Sequence, residues 1–81
     1  MENSEILYYA VYEEHTIGFL FVGHSDRRYL GILHASVLNG SNYNWLSGPI
    51  LVDMAKVRKA TPADFEAYRV ALPCDYSTIN G

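Results

Sequence analysis

Arg27-Arg28-Tyr29-Leu30-Gly31-Ile32-Leu33-His34-Ala35-Ser36-Val37-Leu38 is the stretch whose conformation decides the fold. As a helix it would be capped by Asp26 and stopped at Gly40. As a strand it would extend a preceding hairpin into a sheet. Two features favour the strand. Gly31 inside a helix would cost ~1 kcal/mol relative to Ala, and Arg27 and Arg28 would fill a first helical turn whose macrodipole repels cations. Read as a strand, the stretch turns Leu33, Ala35 and Val37 inward together.

Working outward, Ile6 to Tyr12 (ILYYAVY) is apolar or aromatic throughout, with no Gly or Pro, and reads as a strand packed on both faces. Glu13-Glu14-His15-Thr16 turns the chain. Ile17 to Val22 (IGFLFV) then places Ile17, Phe19 and Phe21 on one face and Gly18, Leu20 and Val22 on the other, completing a hairpin. Gly23-His24-Ser25-Asp26 is a second cluster of turn formers. Beyond residue 38, Asn39 to Gly48 is a polar loop punctuated by Tyr43 and Trp45, Pro49 to Met54 reads as a fourth strand, and Lys56 to Arg58 adds short strand character.

Thr61-Pro62-Ala63-Asp64 is a helix start: a Thr cap, Pro at the first helical position and an acid in the first turn. Phe65, Tyr68 and Leu72 form the stripe laid on the sheet, Pro73 ends the helix by position 72, and the polar tail 74–81 is expected to fray. The expected architecture is α+β: a small, mostly antiparallel sheet of four to five strands, as a meander or partial barrel, with one C-terminal helix, in a single domain whose ordered core spans about 5–73. One helix cannot cover both faces of such a sheet. Either the sheet curls on itself or a second molecule covers the rest, which predicts a homodimer.

At 81 residues, with 49% hydrophobic and 19% charged, the chain is one domain, too apolar for disorder and too small for a multi-cofactor enzyme. A formal charge of −3 and a pI near 5.4 speak against binding nucleic acid mainly through a phosphate-neutralising surface. The single cysteine, Cys74, allows no internal disulfide, and no CxxC or Cys/His cluster offers a structural zinc site. The first residues are acidic where a signal peptide carries positive charge, and no apolar run approaches the ~20 residues that span a bilayer. A cytoplasmic location follows as the expectation. Asn39-Gly40-Ser41 fits the glycosylation sequon but reads as a tight turn.

Chemistry-bearing groupings are sparse. His15 and His24 flank the strand Ile17 to Val22, on the order of 25 Å apart, so they cannot share one ion within a subunit. His24-Ser25-Asp26 contains triad residue types, but adjacent side chains diverge. Neither Glu13 with Glu14 nor Asp64 with Glu66 suggests a cleft with two opposed carboxylates. No catalytic residue, metal ligand or cofactor is predicted. What remains suits binding: the loop residues Tyr43, Asn44 and Trp45, and Tyr8 and Tyr12 on one strand face, supply aromatic area at low entropic cost. Arg27, Arg28, Lys56, Arg58 and Lys59 hold five of the six basic residues in two clusters. They would form a phosphate- or acid-binding patch if the fold brings them together.

The stretch Val57-Arg58-Lys59-Ala60-Thr61-Pro62-Ala63-Asp64-Phe65-Glu66-Ala67-Tyr68-Arg69-Val70, with Asn39-Gly40-Ser41 and Asn44-Trp45-Leu46-Ser47-Gly48-Pro49 before it, resembles segments of small bacterial accessory-genome proteins of the phage, plasmid or integron-cassette type. The resemblance covers about half the chain. It implies an adaptor, inhibitor or DNA-transaction accessory and carries no active site. The leading expectation is therefore a non-enzymatic protein-interaction module, homodimeric, binding itself or another protein without contact to membranes. The alternatives are a nucleic-acid accessory using the basic clusters, and a ligand binder or enzyme with an inter-subunit pocket at His34 or Cys74.

Overall fold

The computed structural model describes residues 6–43, 46 and 48–80, with the His24 side chain left out; Asn44 and Trp45 of the predicted contact loop lie outside the described residues. Five strands, β1 (Ile6–Tyr12), β2 (Thr16–Val22), β3 (Arg28–Ala35), β4 (Ile50–Leu51) and β5 (Val57–Lys59), form one sheet in the order β4-β3-β2-β1-β5. Every pairing is antiparallel. Two short helices follow, α1 (Pro62–Ala67) and α2 (Tyr76–Ile79). The deciding stretch is a strand, and the fold is the expected small α+β domain dominated by its sheet.

The inward set on β3 differs from the simple alternation. Leu30 is fully buried, whereas Leu33 is 36% and Val37 76% exposed. The cause is a register shift between the β2 positions Ile17 and Gly18, which pair with His34 and Ile32, leaving Leu33 as the extra residue. One inserted residue reverses which face each later side chain takes. The strand ends at Ala35, and Val37–Asn39 form a 3₁₀ turn closed by left-handed Gly40 at φ 96°. The fourth strand is likewise shorter than expected, pairing only Ile50 and Leu51 with Leu30 and Tyr29.

Both hairpin turns flanking β2 use non-glycine residues in the left-handed region: Glu13 (φ 52°) and Glu14 (φ 61°) at one end, Ser25 (φ 63°) and Asp26 (φ 60°) at the other. Two successive left-handed residues match the twist of the strands they join, but each costs about 1–2 kcal/mol without glycine. Cross-links to other parts of the chain offset this at the first turn. The Glu13 N–H donates to the Lys56 carbonyl at 3.0 Å, and both carboxylates are ion-paired, as described below.

Two buried clusters occupy the two faces of the sheet. On the first face, Tyr9, Val11 and Ile17 lie under Ala60 and Phe65, with Phe19, Tyr68, Val70, Tyr76 and Ile79 packed around them. On the second, Ala10, Tyr12, Leu20 and Leu30 meet Val52, with Tyr8, Tyr43, Ile50 and Val57 packed against them. The segment between β3 and β5 thus covers the face that a single helix could not reach.

Helix α1 begins as its sequence dictates. Thr61 and Asp64 form a reciprocal capping box, with Pro62 in the first turn. It ends earlier than Pro73 requires. Arg69 turns left-handed (φ 60°), and the Val70 N–H closes on the Phe65 carbonyl at 2.8 Å. Val70 replaces Leu72, which is 50% exposed, in the apolar stripe.

Residues 74–80, expected to fray, are tied down instead. Asn80 accepts from the Tyr9 N–H at 2.7 Å and donates through Nδ2 to the Tyr9 carbonyl at 2.8 Å, mimicking one more strand residue beside β1. The Tyr9 hydroxyl donates to Asp75 at 2.9 Å, and the Tyr76 hydroxyl to the Ala60 carbonyl at 2.8 Å. The tail looks loose as a sequence because its docking rests on side-chain amide and hydroxyl groups rather than an apolar run. Burial, the Asp75 hydrogen bond and the nearby Asp75 charge push the Tyr9 phenol up to about 12.

Candidate binding surface

Helices α1 and α2 shelter only part of the first face. Beyond them, the register aligns Ile6, Phe21, Tyr29 and Leu51 in one row across β1, β2, β3 and β4. Directly opposed residues of an antiparallel sheet share a face. Phe21 stacks on Tyr29 at 6.0 Å between centroids and on Phe19 at 5.7 Å, so three rings form a continuous aromatic strip. Phe19 belongs at its other edge to the cluster under the helices. Phe19, Phe21 and Tyr29 are half-buried, and Leu51 is 51% exposed.

Two glycines make the strip possible. A Cβ on Gly31 would lie 2.1 Å from Phe19 Cζ, and one on Gly23 would lie 2.5 Å from Tyr29 Cδ1. The rings occupy the space that a side chain at these positions would fill.

At the other end of β2, charge is concentrated. Arg58 donates through Nε and Nη2 to the Glu14 carboxylate at 2.6 and 2.9 Å, and through Nη1 and Nη2 to Asp64 at 2.8 Å each. One guanidinium thus clamps the first hairpin turn to the cap of α1. Arg58 holds Asp64 far below the usual carboxylate range, with Thr61 adding to the effect, and also lowers Glu14. Lys56 pairs with Glu13 at 3.2 Å, a hydrogen bond that raises the lysine.

The predicted contact residues are distributed across these regions. Tyr12 is buried, Tyr8 is half-buried with Lys59 Nζ 5.4 Å from its ring centroid, and Tyr43 packs inward against the second cluster. Tyr8 and Tyr12 do share a face, but it is the one closed by the segment between β3 and β5. The basic clusters do not meet. Arg28 pairs with Val22, whereas Val57 pairs with Tyr12 at the opposite end of the hairpin, so about 20 Å of strand separates them. Lys56 and Arg58 are occupied by carboxylates, Arg28 donates to the Asp26 carbonyl at 2.8 Å, and Arg27 is exposed.

The positions raised for an inter-subunit pocket are also apart. His34 sits edge-on to Tyr68 at 5.9 Å and, with Ser36, Asn39 and Ala67, lines an open cleft of about 100 Å³, while Cys74 is exposed on the tail.

One arrangement escaped the sequence reading. His15 Nε2 lies 3.2 Å from Glu13 Oε1, His15 Nδ1 lies 2.8 Å from Thr16 Oγ1, and Thr16 Oγ1 lies 3.0 Å from Ser41 Oγ. Acid, imidazole and hydroxyl stand in the order of a hydrolase relay. Thr16 is 0% and Ser41 3% exposed, however, so the hydroxyls at its end are closed to substrate and serve the core. No spacing rule connects residue 41 to residues 13–16; only the fold does.

Comparison with known proteins gives no match to a family model, a curated protein or a solved structure. Among the described residues, no helix is long and apolar enough to cross a membrane.

Proposed function

We propose that the chain is a non-enzymatic protein-interaction module of the cytoplasm whose contact surface is the strip Phe19-Phe21-Tyr29 with Ile6 and Leu51, and that a second copy of the chain is its first partner. The observation that carries this reading is the row of stacked, half-buried rings on the sheet beyond the helices. Aromatic rings in a contiguous patch supply much of the binding energy of protein interfaces. The strip carries no charged side chain, so an identical strip related by a two-fold axis complements it.

A photo-crosslinking amino acid at position 21, compared with one at the exposed polar position Ser77, tests the reading. Protein adducts at 21 that are absent at 77 are expected, including one of twice the chain's mass. Equal labelling at the two positions, or none at 21, would sink it.

A second reading follows from Arg27 and Arg28 entering β3 immediately before Tyr29. Rings beside cations can stack unpaired bases. Binding of single-stranded DNA or RNA would then fall steeply with salt and vanish in Tyr29→Ala. Lys56, Arg58 and Lys59, neutralised or turned to Tyr8, add little to it.

A further inference from the structure

The Glu13–His15–Thr16–Ser41 chain has a direction. Its inner end is fixed by the Tyr43 backbone N–H, which can only donate and reaches Ser41 Oγ at 3.1 Å. The Ser41 hydroxyl can then give its proton to Thr16 Oγ1, Thr16 can give its own to His15 Nδ1, and His15 can donate through Nε2 to Glu13. Every donor is matched when Nδ1 is an unprotonated acceptor.

A second proton on the ring breaks this order. Nδ1 becomes a donor to Thr16 Oγ1, and of the two hydroxyls only one can then donate to the other. Whichever does, the other hydroxyl proton is left without an acceptor among its described partners, at positions 0% and 3% exposed. The other titratable groups around the ring are Glu13, with Lys56 on its second oxygen, and the phenols Tyr12 and Tyr43 at 6.3 and 6.4 Å. Glu13 accepts from Nε2 in both states and holds the charged ring more strongly, so the disruption falls on the Thr16 side.

We propose that protonation of His15 releases the Ser41–Tyr43 segment from the first hairpin turn, making the cover of the second sheet face a proton-sensitive latch. Tyr43 is the moving part. It packs against the cluster of Ala10, Tyr12, Leu20, Leu30 and Val52, and its amide is the last link of the chain. The latch does not depend on what binds the aromatic strip.

The test follows the Tyr43 amide and the His15 ring together by NMR from pH 8 to pH 5, the range in which imidazoles gain charge. The expected result is a fall in Tyr43 hydrogen-exchange protection on the order of tenfold, tracking His15 protonation. The Tyr9 amide, bonded to Asn80 on the other face, should keep its protection. His15→Gln removes the titration, and Thr16→Val keeps the imidazole but cuts the chain; each should flatten the Tyr43 response. Constant Tyr43 protection across the range, or a pH step that survives in Thr16→Val, overturns the proposal.

Discussion

The same face of one sheet contains two aromatic groups with opposite environments. Near β1, Tyr9 is 6% exposed, in edge contact with Phe65 and stacked on Tyr76, and its backbone is capped by Asn80. On β2 and β3, one and two strands away, Phe21 and Tyr29 stack on each other, and among the described residues neither belongs to the cluster under the helices. The strands themselves are alike in composition and pleat. The difference is where the chain after β5 returns: Ala60 bonds the Tyr9 carbonyl at 2.9 Å, so α1 and α2 settle over β1 and the adjoining half of β2. An aromatic residue on a strand is therefore core or surface according to the reach of a segment 50 to 70 residues later.

The most severe way to break that contrast is to remove residues 74–81. Tyr9 would lose the partners of its N–H and hydroxyl and one of the two donors to its carbonyl, and Phe65 its contact with Tyr76. With each stranded buried polar group costing about 1–3 kcal/mol, the loss should reach at least about 3 kcal/mol. That is a large share of the roughly 4–12 kcal/mol expected for a domain of this size. Urea unfolding followed by circular dichroism should show the transition weakened or gone, whereas a tail that merely frays would leave the midpoint unchanged.

Acid probes the anchoring of the covered half through Arg58. Asp64 and Glu14 titrate below their ordinary values because the guanidinium holds their charged forms. Stability linked to a lowered carboxyl is fully present above about pH 5 and is lost as the pH falls through and below 4. Asp64, 14% exposed at its side chain, carries most of it, about 2 kcal/mol, while Glu14 at 67% contributes little. Thermal melts from pH 7 to pH 2 should show this loss, and in Arg58→Met the profile should be flatter over that window.

Sequence patterning was enough for the sheet, the strand at 28–35 and the α1 start, because each depends on neighbours: alternation, an awkward Gly31, a Thr-Pro-Ala-Asp cap. It failed where distant residues decide. The docked tail depends on Asn80 meeting Tyr9 across 71 positions. The pairing of Glu14 with Arg58 spans 44, and the Thr16–Ser41 contact spans 25. Alternation alone puts Tyr12 on a face open to contact, yet Val52 and Tyr43 close that face. The strip was half visible: Phe19 and Phe21 alternate plainly, but only register places Tyr29 beside Phe21 and Gly31 beneath Phe19.

Gly31→Ala sharpens the comparison from the open side. Its methyl would press on the far end of the Phe19 ring, which can rotate aside, so the expected cost is about 1.5 kcal/mol rather than loss of the fold. Near-ultraviolet circular dichroism should report the displaced ring. If the ring already leaves Gly31 in solution, the spectrum and the midpoint would both stay put.

The variant of the strip itself is the most informative. Phe21→Ser with Tyr29→Ser removes two half-buried rings outside the cluster under the helices, so the fold should survive, and each ring should cost less than the ~3–5 kcal/mol of Phe65→Ser in the covered half. Light scattering across a dilution series then separates display from packing. The parent should run at twice its 9.1 kDa and the double variant at 9.1 kDa with a cooperative melting transition. A double variant that unfolds would place these rings with Tyr9 in the core. A folded variant with unchanged mass would leave the strip exposed and free of a second copy, and self-association through it would be excluded.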